Sequence, residues 1–173
     1  MSNNSAEKEP VLASKEKESL TLKAFTKRAF DIIVSFLALI VLSPVFAGIA
    51  LAIKRDTPGP VFFSGDRTGW RGKRFKILKF RTMYDTPESH NGTPITAEGD
   101  SRITPFGKFL RDTKLNELPQ FWNVLKGEMS LVGPRPEYPD LVEKWPEDLR
   151  QEILSVRPGI TSPASIIYRN EEQ

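Results

Sequence analysis

Between Thr113 and Glu137 the chain reads TKLNELPQFWNVLKGEMSLVGPRPE. An amide and a carboxylate, Asn116 and Glu117, stand just ahead of a proline and an apolar-periodic run, and Arg135 is fixed between two prolines. A helix N-terminus gathers backbone N–H groups and the positive end of the helix dipole, a setting that receives phosphate or a metal-bound carboxylate. The same two residues also suit a plainer role, Asn as N-cap and Glu as a first-turn acid. Arginine offers a planar fork matched to phosphate oxygens, and a stiff backbone limits the entropy lost in using it. Arg157, in VRPGITSP, has a similar setting. Upstream, Lys76, Lys79 and Arg81 recur through the segment before Thr82, as either a solvated strand face or the lining of an anionic ligand. Arginines on rigid turns beside a basic segment and a helix N-terminus suggest a diphosphate site.

The elements that must position these groups are legible in outline. Pro58-Gly59-Pro60 breaks any helix, and the chain then alternates like a hairpin, with strands at Val61–Ser64 and Phe75–Phe80 and a glycine-bounded turn at Gly69–Gly72. Tyr84 to Ile103 reads as a long loop, of the kind that is usually functional or disordered. Thr104-Pro105 predicts a capped helix start, with Phe106, Phe109 and Leu110 forming its buried face and Lys108 and Arg111 lying elsewhere on it. A second helix is expected from about Leu118-Pro119 to Gly127, so that Asn116 and Glu117 stand at or just before its N-terminus. The prolines of SLVGPRPEYP argue against regular structure there.

Ahead of this body lies a different kind of sequence. Residues 1–22 are polar and of mixed charge through Glu18, which predicts a flexible tail. Ala29 to Ile53 is a 25-residue run whose only charge is Asp31, long enough as a helix to cover roughly 30 Å of hydrocarbon. A signal peptide is disfavoured, since the run is long and Lys54-Arg55 follow it in place of a small-residue cleavage site. Ser43-Pro44 interrupts the run, favouring a kink. Basic residues flank both ends, Lys23, Lys27 and Arg28 before it and Lys54 and Arg55 after it. That pattern admits a hairpin entering and leaving on one face as well as a spanning helix. Lys54 to Arg81 holds nine basic residues against Asp56 and Asp66, so this segment is expected at anionic headgroups and everything after Ile53 in the cytoplasm.

Composition excludes several chemistries. With 173 residues the chain fits one compact domain plus appendages. The absence of cysteine removes disulfides, thiolate metal sites and cysteine nucleophiles. His90 has no second histidine with which to share a metal. A net charge of only +3 argues weakly for a polyanionic partner, and no nucleic acid is expected, because an apolar segment directly precedes the basic run.

The ordered motifs KRAFD, the apolar run broken at Ser43-Pro44, PGPVFF, KFRTM, GDSRITPFGKFLRDTKLNELPQFWNVLKGEMSLVGPRPE and VRPGIT together resemble the bacterial sugar transferases, the small monotopic phosphoglycosyl transferases. The resemblance runs from about Lys27 to Glu172. It implies an α+β fold, mostly helical with a short β-hairpin. Residues 23–55 would form a re-entrant membrane helix broken at Ser43-Pro44, and residues 56–173 an interfacial catalytic domain on the cytoplasmic face of the bacterial inner membrane. The activity implied is transfer of a phospho-sugar from a nucleotide diphospho-sugar, usually a UDP-sugar, to polyprenyl phosphate, giving polyprenyl-diphospho-sugar and UMP. This would initiate surface polysaccharide or glycoconjugate synthesis. Mg2+ is the implied cofactor, with Glu117 as its ligand. Lys79, Arg81, Arg111 and Arg135 are the expected phosphate-binding residues. The partners are the bilayer, polyprenyl phosphate and the nucleotide sugar, with a homodimer also in view.

One position departs from the family pattern. Where members typically carry Asp-Glu, with the aspartate attacking the sugar-linked phosphorus, this chain has Asn116-Glu117. A neutral amide is a far poorer nucleophile than a carboxylate. Three readings follow: an active transferase that dispenses with the enzyme-bound intermediate or uses another carboxylate, for which Asp100 is available; an impaired variant that still binds substrates; or a membrane-attached scaffold. The chain also stops at YRNEEQ, where relatives are expected to continue through a further amphipathic segment.

Overall fold

The computed structural model describes residues 8–91 and 99–162, with side chains from residue 21 onward except at 90 and 91. Helix α1 runs Lys8–Val41 and α2 Ser43–Asp56. The stretch expected as a tail is therefore helical in backbone from Lys8; it is rich in Lys, Glu, Leu and Ala, all good helix formers. Pro10 falls in the first turn, where its missing N–H is no loss. Met1 to Glu7 lie outside the described residues.

The break falls where Ser43-Pro44 predicts it. The two helix segments bend by 59° about Leu42. Pro44 has no N–H for the Ile40 carbonyl four residues back, and the Ser43 hydroxyl donates to that carbonyl instead, at 2.8 Å. Among the described residues no single helix is long and apolar enough to cross a membrane, whereas the bent pair Thr21–Val41 and Ser43–Asp56 meets that requirement together. Helix α1 also has an inverted character. Asp31 and Ser35, one turn apart, are buried, while Phe30, Ile33, Phe36, Leu37 and Ile40 are each more than half exposed.

The rest is α+β. Strands β1 (Phe62–Thr68) and β2 (Arg74–Phe80) form an antiparallel hairpin, with Phe62 opposite Phe80 and Thr68 opposite Arg74. Helix α3 (Pro87–Asn91) interrupts the expected long loop, and the Met83–Ile103 bridge closes its base. Helix α4 (Pro105–Asp112) starts as its cap signal predicts: the Thr104 hydroxyl accepts from Gly107 N–H at 2.8 Å. Leu110 is fully buried, but Phe109 is 50% exposed and stacks on Phe106, so the buried face of this helix is narrower than its spacing suggests.

Helix α5 covers Gln120–Lys126, and Gly127 ends it in the left-handed conformation expected of a C-cap. Strand β3 (Ser130–Val132) pairs in parallel with β4 (Gly159–Thr161), and the short helices α6 (Pro139–Val142) and α7 (Glu147–Leu154) lie between them in sequence. Regular structure in SLVGPRPEYP is confined to the residues before the first proline and from the last. The two Arg-Pro turns lie back to back. A Cβ on Gly133 would stand 2.3 Å from the Arg157 carbonyl oxygen, and one on Gly159 2.1 Å from Gly133 N, so glycine is what lets these backbones touch.

Two apolar clusters hold the assembly. Ile49 and Ile53 of α2 pack with Phe80 and Leu110, joined by Phe46, Val61, Phe106, Leu115 and Leu118; Phe75 and Ile77 pack with Val124 and Met129. The first cluster ties the end of α2 to the segment that carries Asn116 and Glu117.

Candidate active site

Lys79 decides between the two readings of the basic strand. Side chains alternate along β2, so Lys79 shares a face with the buried Phe75 and Ile77, whereas Lys76 points the other way and is mostly exposed, paired with Asp66. Lys79 Nζ consequently reaches Glu117 Oε1 at 2.6 Å, with both side chains about three-quarters covered. Burial pulls the Lys79 ammonium below its ordinary pKa; Glu117 works against that, while the nearby Arg135 and Arg67 add to it.

Asn116 and Glu117 occupy a 3-10 turn, Leu115–Glu117, entered through Lys114 in a left-handed conformation; the cap of α5 is Pro119. The N-cap role for Asn116 is thereby overturned, because the turn and the two residues after it intervene before the helix. Asn116 is 9% exposed, and its Oδ1 is buried with no hydrogen-bond partner among the described residues. A buried amide oxygen left in this state is unfavourable, which marks the position as shaped for something other than packing.

The other expected residues divide into two sets. Arg111 turns inward, Nε donating to Thr82 Oγ1 at 2.8 Å, and burial works against its charge. Arg135 is over half exposed, 3.8 Å from Glu137, and close enough to act electrostatically on Lys79. Asp100 belongs to the rim: its two oxygens take Arg102 Nε and Nη2, the shorter contact being 2.6 Å, and Oδ1 accepts the Arg102 backbone N–H. Those bonds hold its carboxyl down to about 2, with Arg111 adding a smaller contribution. Arg81 serves elsewhere. Its guanidinium donates to the carbonyls of Pro58 and Thr57 at 2.6 and 2.9 Å, strapping the chain as it leaves α2. Arg157 likewise donates to the Gly127 carbonyl and lies over the Trp70 ring.

Two residues beyond the sequence expectation join the site. Arg67, 9% exposed on β1, stacks 3.5 Å from the Tyr138 ring centroid and bears on Lys79; Tyr138 in turn bears on Arg111. From them a groove of about 550 Å³ runs between β1 and α6, lined by Phe63, Arg74, Leu141 and Lys144 among others. In the sequence Arg67 is one of nine cations in a basic run, and only the pairing of β1 with β2 singles it out.

The result is a basin in which Arg67 and Arg135 stand by the Lys79–Glu117 pair, while Arg111 lies beyond Tyr138, within electrostatic reach of Asp100. Such a basin suits a ligand with two or more negative charges. Among the described residues no three His, Cys, Asp or Glu side chains come together. A metal here would therefore rest on Glu117, and the orphaned Asn116 Oδ1 is a further hard oxygen beside it in sequence. That donor set fits Mg2+, which commonly takes one or two protein oxygens plus substrate phosphates.

The model of the bacterial sugar transferase family matches residues 22–173. The chain belongs to that family. Among curated relatives of this bacterial sugar transferase, it is 41% identical over 147 residues to the UDP-N-acetylgalactosamine-undecaprenyl-phosphate N-acetylgalactosaminephosphotransferase of Aeromonas hydrophila, covering 84% of this chain and 34% of the relative. It is 46% identical over 142 residues to the UDP-glucose:undecaprenyl-phosphate glucose-1-phosphate transferase of Escherichia coli K12, covering 81% and 30% respectively. It is 38% identical over 160 residues to the exopolysaccharide production protein ExoY of Sinorhizobium fredii, covering 84% of this chain and 70% of that protein. The chain thus spans about a third of the length of the first two and most of the third.

Proposed function

We propose that this bacterial sugar transferase moves a phospho-sugar from a UDP-sugar to polyprenyl phosphate, releasing UMP and leaving polyprenyl-diphospho-sugar. The observation that carries this reading is the cation basin around Glu117, joined by one apolar cluster to the end of a bent apolar helix pair. A lipid phosphate keeps its charged end at the membrane interface, so a site at the foot of such a pair meets it at the right depth. The pair is read as re-entrant and the domain as facing the cytoplasm. Support comes from the outward apolar face of α1, the Ser43 bond that satisfies the carbonyl stranded by Pro44, and basic residues at both ends.

Within the site Lys79, Arg111 and Arg135 bind the diphosphate and oppose the charge that gathers on the transferring phosphoryl group. Glu117 holds Mg2+, which supplies further neutralisation of the diphosphate when bound. Relatives named for transfer to undecaprenyl phosphate from UDP-glucose or UDP-N-acetylgalactosamine support the transfer itself, and the ExoY relative suggests an exopolysaccharide as the destination. The test is release of UMP from a panel of UDP-sugars in vesicles holding undecaprenyl phosphate and Mg2+, for the chain as written, Asn116→Asp and Glu117→Gln. Lipid-dependent release by the chain as written is expected. Release only after Asn116→Asp would identify an impaired variant, and no release by either protein would leave a scaffold.

A further inference from the structure

We propose that this chain transfers the phospho-sugar in a single displacement: an oxygen of the lipid phosphate attacks the sugar-linked phosphorus directly, and no phospho-sugar is ever bonded to the enzyme. The inference rests on the transfer reading above and adds the identity of the nucleophile.

The available oxygens identify the nucleophile. The position from which an aspartate would attack holds Asn116, whose amide oxygen carries no full charge. Among the described residues the carboxylates nearest these cations do not cluster, and each of Asp100, Glu117 and Glu137 faces a basic partner. Asp100 is bound through both oxygens by Arg102 and through Oδ1 by the Arg102 backbone as well. Glu117 is held 2.6 Å from Lys79, and Glu137 faces Arg135 at 3.8 Å. An attacking carboxylate would have to leave its cation, which the burial of Lys79 and of the Asp100–Arg102 pair opposes. Polyprenyl phosphate brings its own charged oxygen and needs no base.

The step balances without a further reactant. A bond forms between the lipid phosphate oxygen and the sugar-linked phosphorus. The bond from that phosphorus to the bridging oxygen breaks, and its electron pair leaves on UMP; the sugar's own C–O bond is untouched. What the enzyme must supply is simultaneous binding of two anions in line, since holding both reactants can replace a covalent relay. The surface has room for both, because Arg67, which bears on Lys79 together with Arg135, also lines the groove with Arg74 and Lys144, alongside Asp66 and Asp140. Asn116, nine-tenths buried with its oxygen unpaired, then acts as a positioning residue that accepts a hydrogen bond from bound ligand.

The experiment is isotope exchange. Labelled UMP is incubated with the UDP-sugar active in the release assay, Mg2+ and the full chain, with and without undecaprenyl phosphate, after peptide mass mapping has confirmed Asn116 as the amide. Lipid-dependent turnover is expected, with label entering the UDP-sugar at least about a hundredfold more slowly when lipid is omitted. Initial-rate lines for the two substrates should intersect, and Asn116→Ala should keep turnover within about a hundredfold, because no bond to phosphorus is lost. Lipid-free exchange at a rate near turnover, or intact protein carrying a phospho-sugar, overturns the single displacement and leaves the transfer reading standing. Turnover that appears only in Asn116→Asp overturns both.

Discussion

Lys27 and Asp31 pair at 3.0 Å on the first helix, and Lys79 and Glu117 pair at 2.6 Å across the hairpin and the 3-10 turn, yet the two pairs live in opposite surroundings. Asp31 is buried and fully engaged: Ser130 Oγ donates to it at 2.7 Å, Leu131 N–H at 3.3 Å, and Lys27 bonds Ser130 as well. Every oxygen is spoken for, and the result is a latch between α1 and β3. Around Glu117 the balance is reversed, with Arg67 and Arg135 gathered near one pair and the neighbouring Asn116 oxygen left unpaired. A satisfied pair holds parts together; a pair amid surplus like charge is prepared for a ligand of the opposite sign.

The contrast breaks most visibly through Glu117→Gln. The amide still offers Lys79 an acceptor but neither balances its charge nor suits the Mg2+ proposed for this site, so turnover should fall by about 10³-fold. The thermal midpoint should move little, as the pair is not fully buried. Activity and melting measured on the same preparation decide it; a large drop in the midpoint would make this pair a second latch.

Asp31→Ala should show the opposite pattern. Removing the acid strands Ser130 Oγ and Lys27 at the α1–β3 contact, and a loss of about 2–4 kcal/mol is expected from an unpaired buried network. Denaturation in detergent reads that loss, while turnover per folded molecule should stay near that of the unaltered chain. Equal loss of activity at unchanged stability would mean that the latch reaches the chemistry.

What the sequence discloses follows the range of the interaction. The hairpin, the break at Ser43-Pro44 and the Thr104-Pro105 helix start are set by neighbours within a few residues, through period, a missing N–H and a cap. Even the inward turn of Lys79 follows from its parity with Phe75 and Ile77. Long-range partners leave no such trace. Nothing near Asp31 in sequence points to Ser130, and Asn123, which ties α5 to β2 by taking Leu78 N–H and donating to the Lys76 carbonyl, looks like any polar helix residue. Arg135 and Arg157 sit in similar Arg-Pro turns, but one faces the basin and the other caps the Gly127 carbonyl beside Trp70. Asn116 misleads for the same reason: its type favours an N-cap, and only tertiary burial in the 3-10 turn removes that partner.

Asp100 and Arg102 sharpen the comparison at its smallest scale, as a closed pair placed beside the open one. The Asp100 carboxyl titrates at about 2 in the folded chain against an ordinary 3.8, because Arg102 binds its charged form. A carboxyl depressed by folding stabilises the folded state fully above its ordinary value, and that contribution disappears as pH falls toward the folded value. The pair should therefore brace the base of the 84–103 loop unchanged from neutrality down to about pH 4, then release it between about pH 4 and 2. Hydrogen exchange at Tyr84, whose N–H bonds the Arg102 carbonyl at 2.9 Å, reports on that base directly. Its protection should fall through this window in the chain as written and stay nearly flat in Asp100→Asn, which has no carboxyl to titrate. The two proteins should differ most near pH 5 and converge toward pH 2. A gap that persists at pH 2 would mean that the brace is shape and not charge, and that Asp100 is freer to approach the basin than its bonds to Arg102 imply.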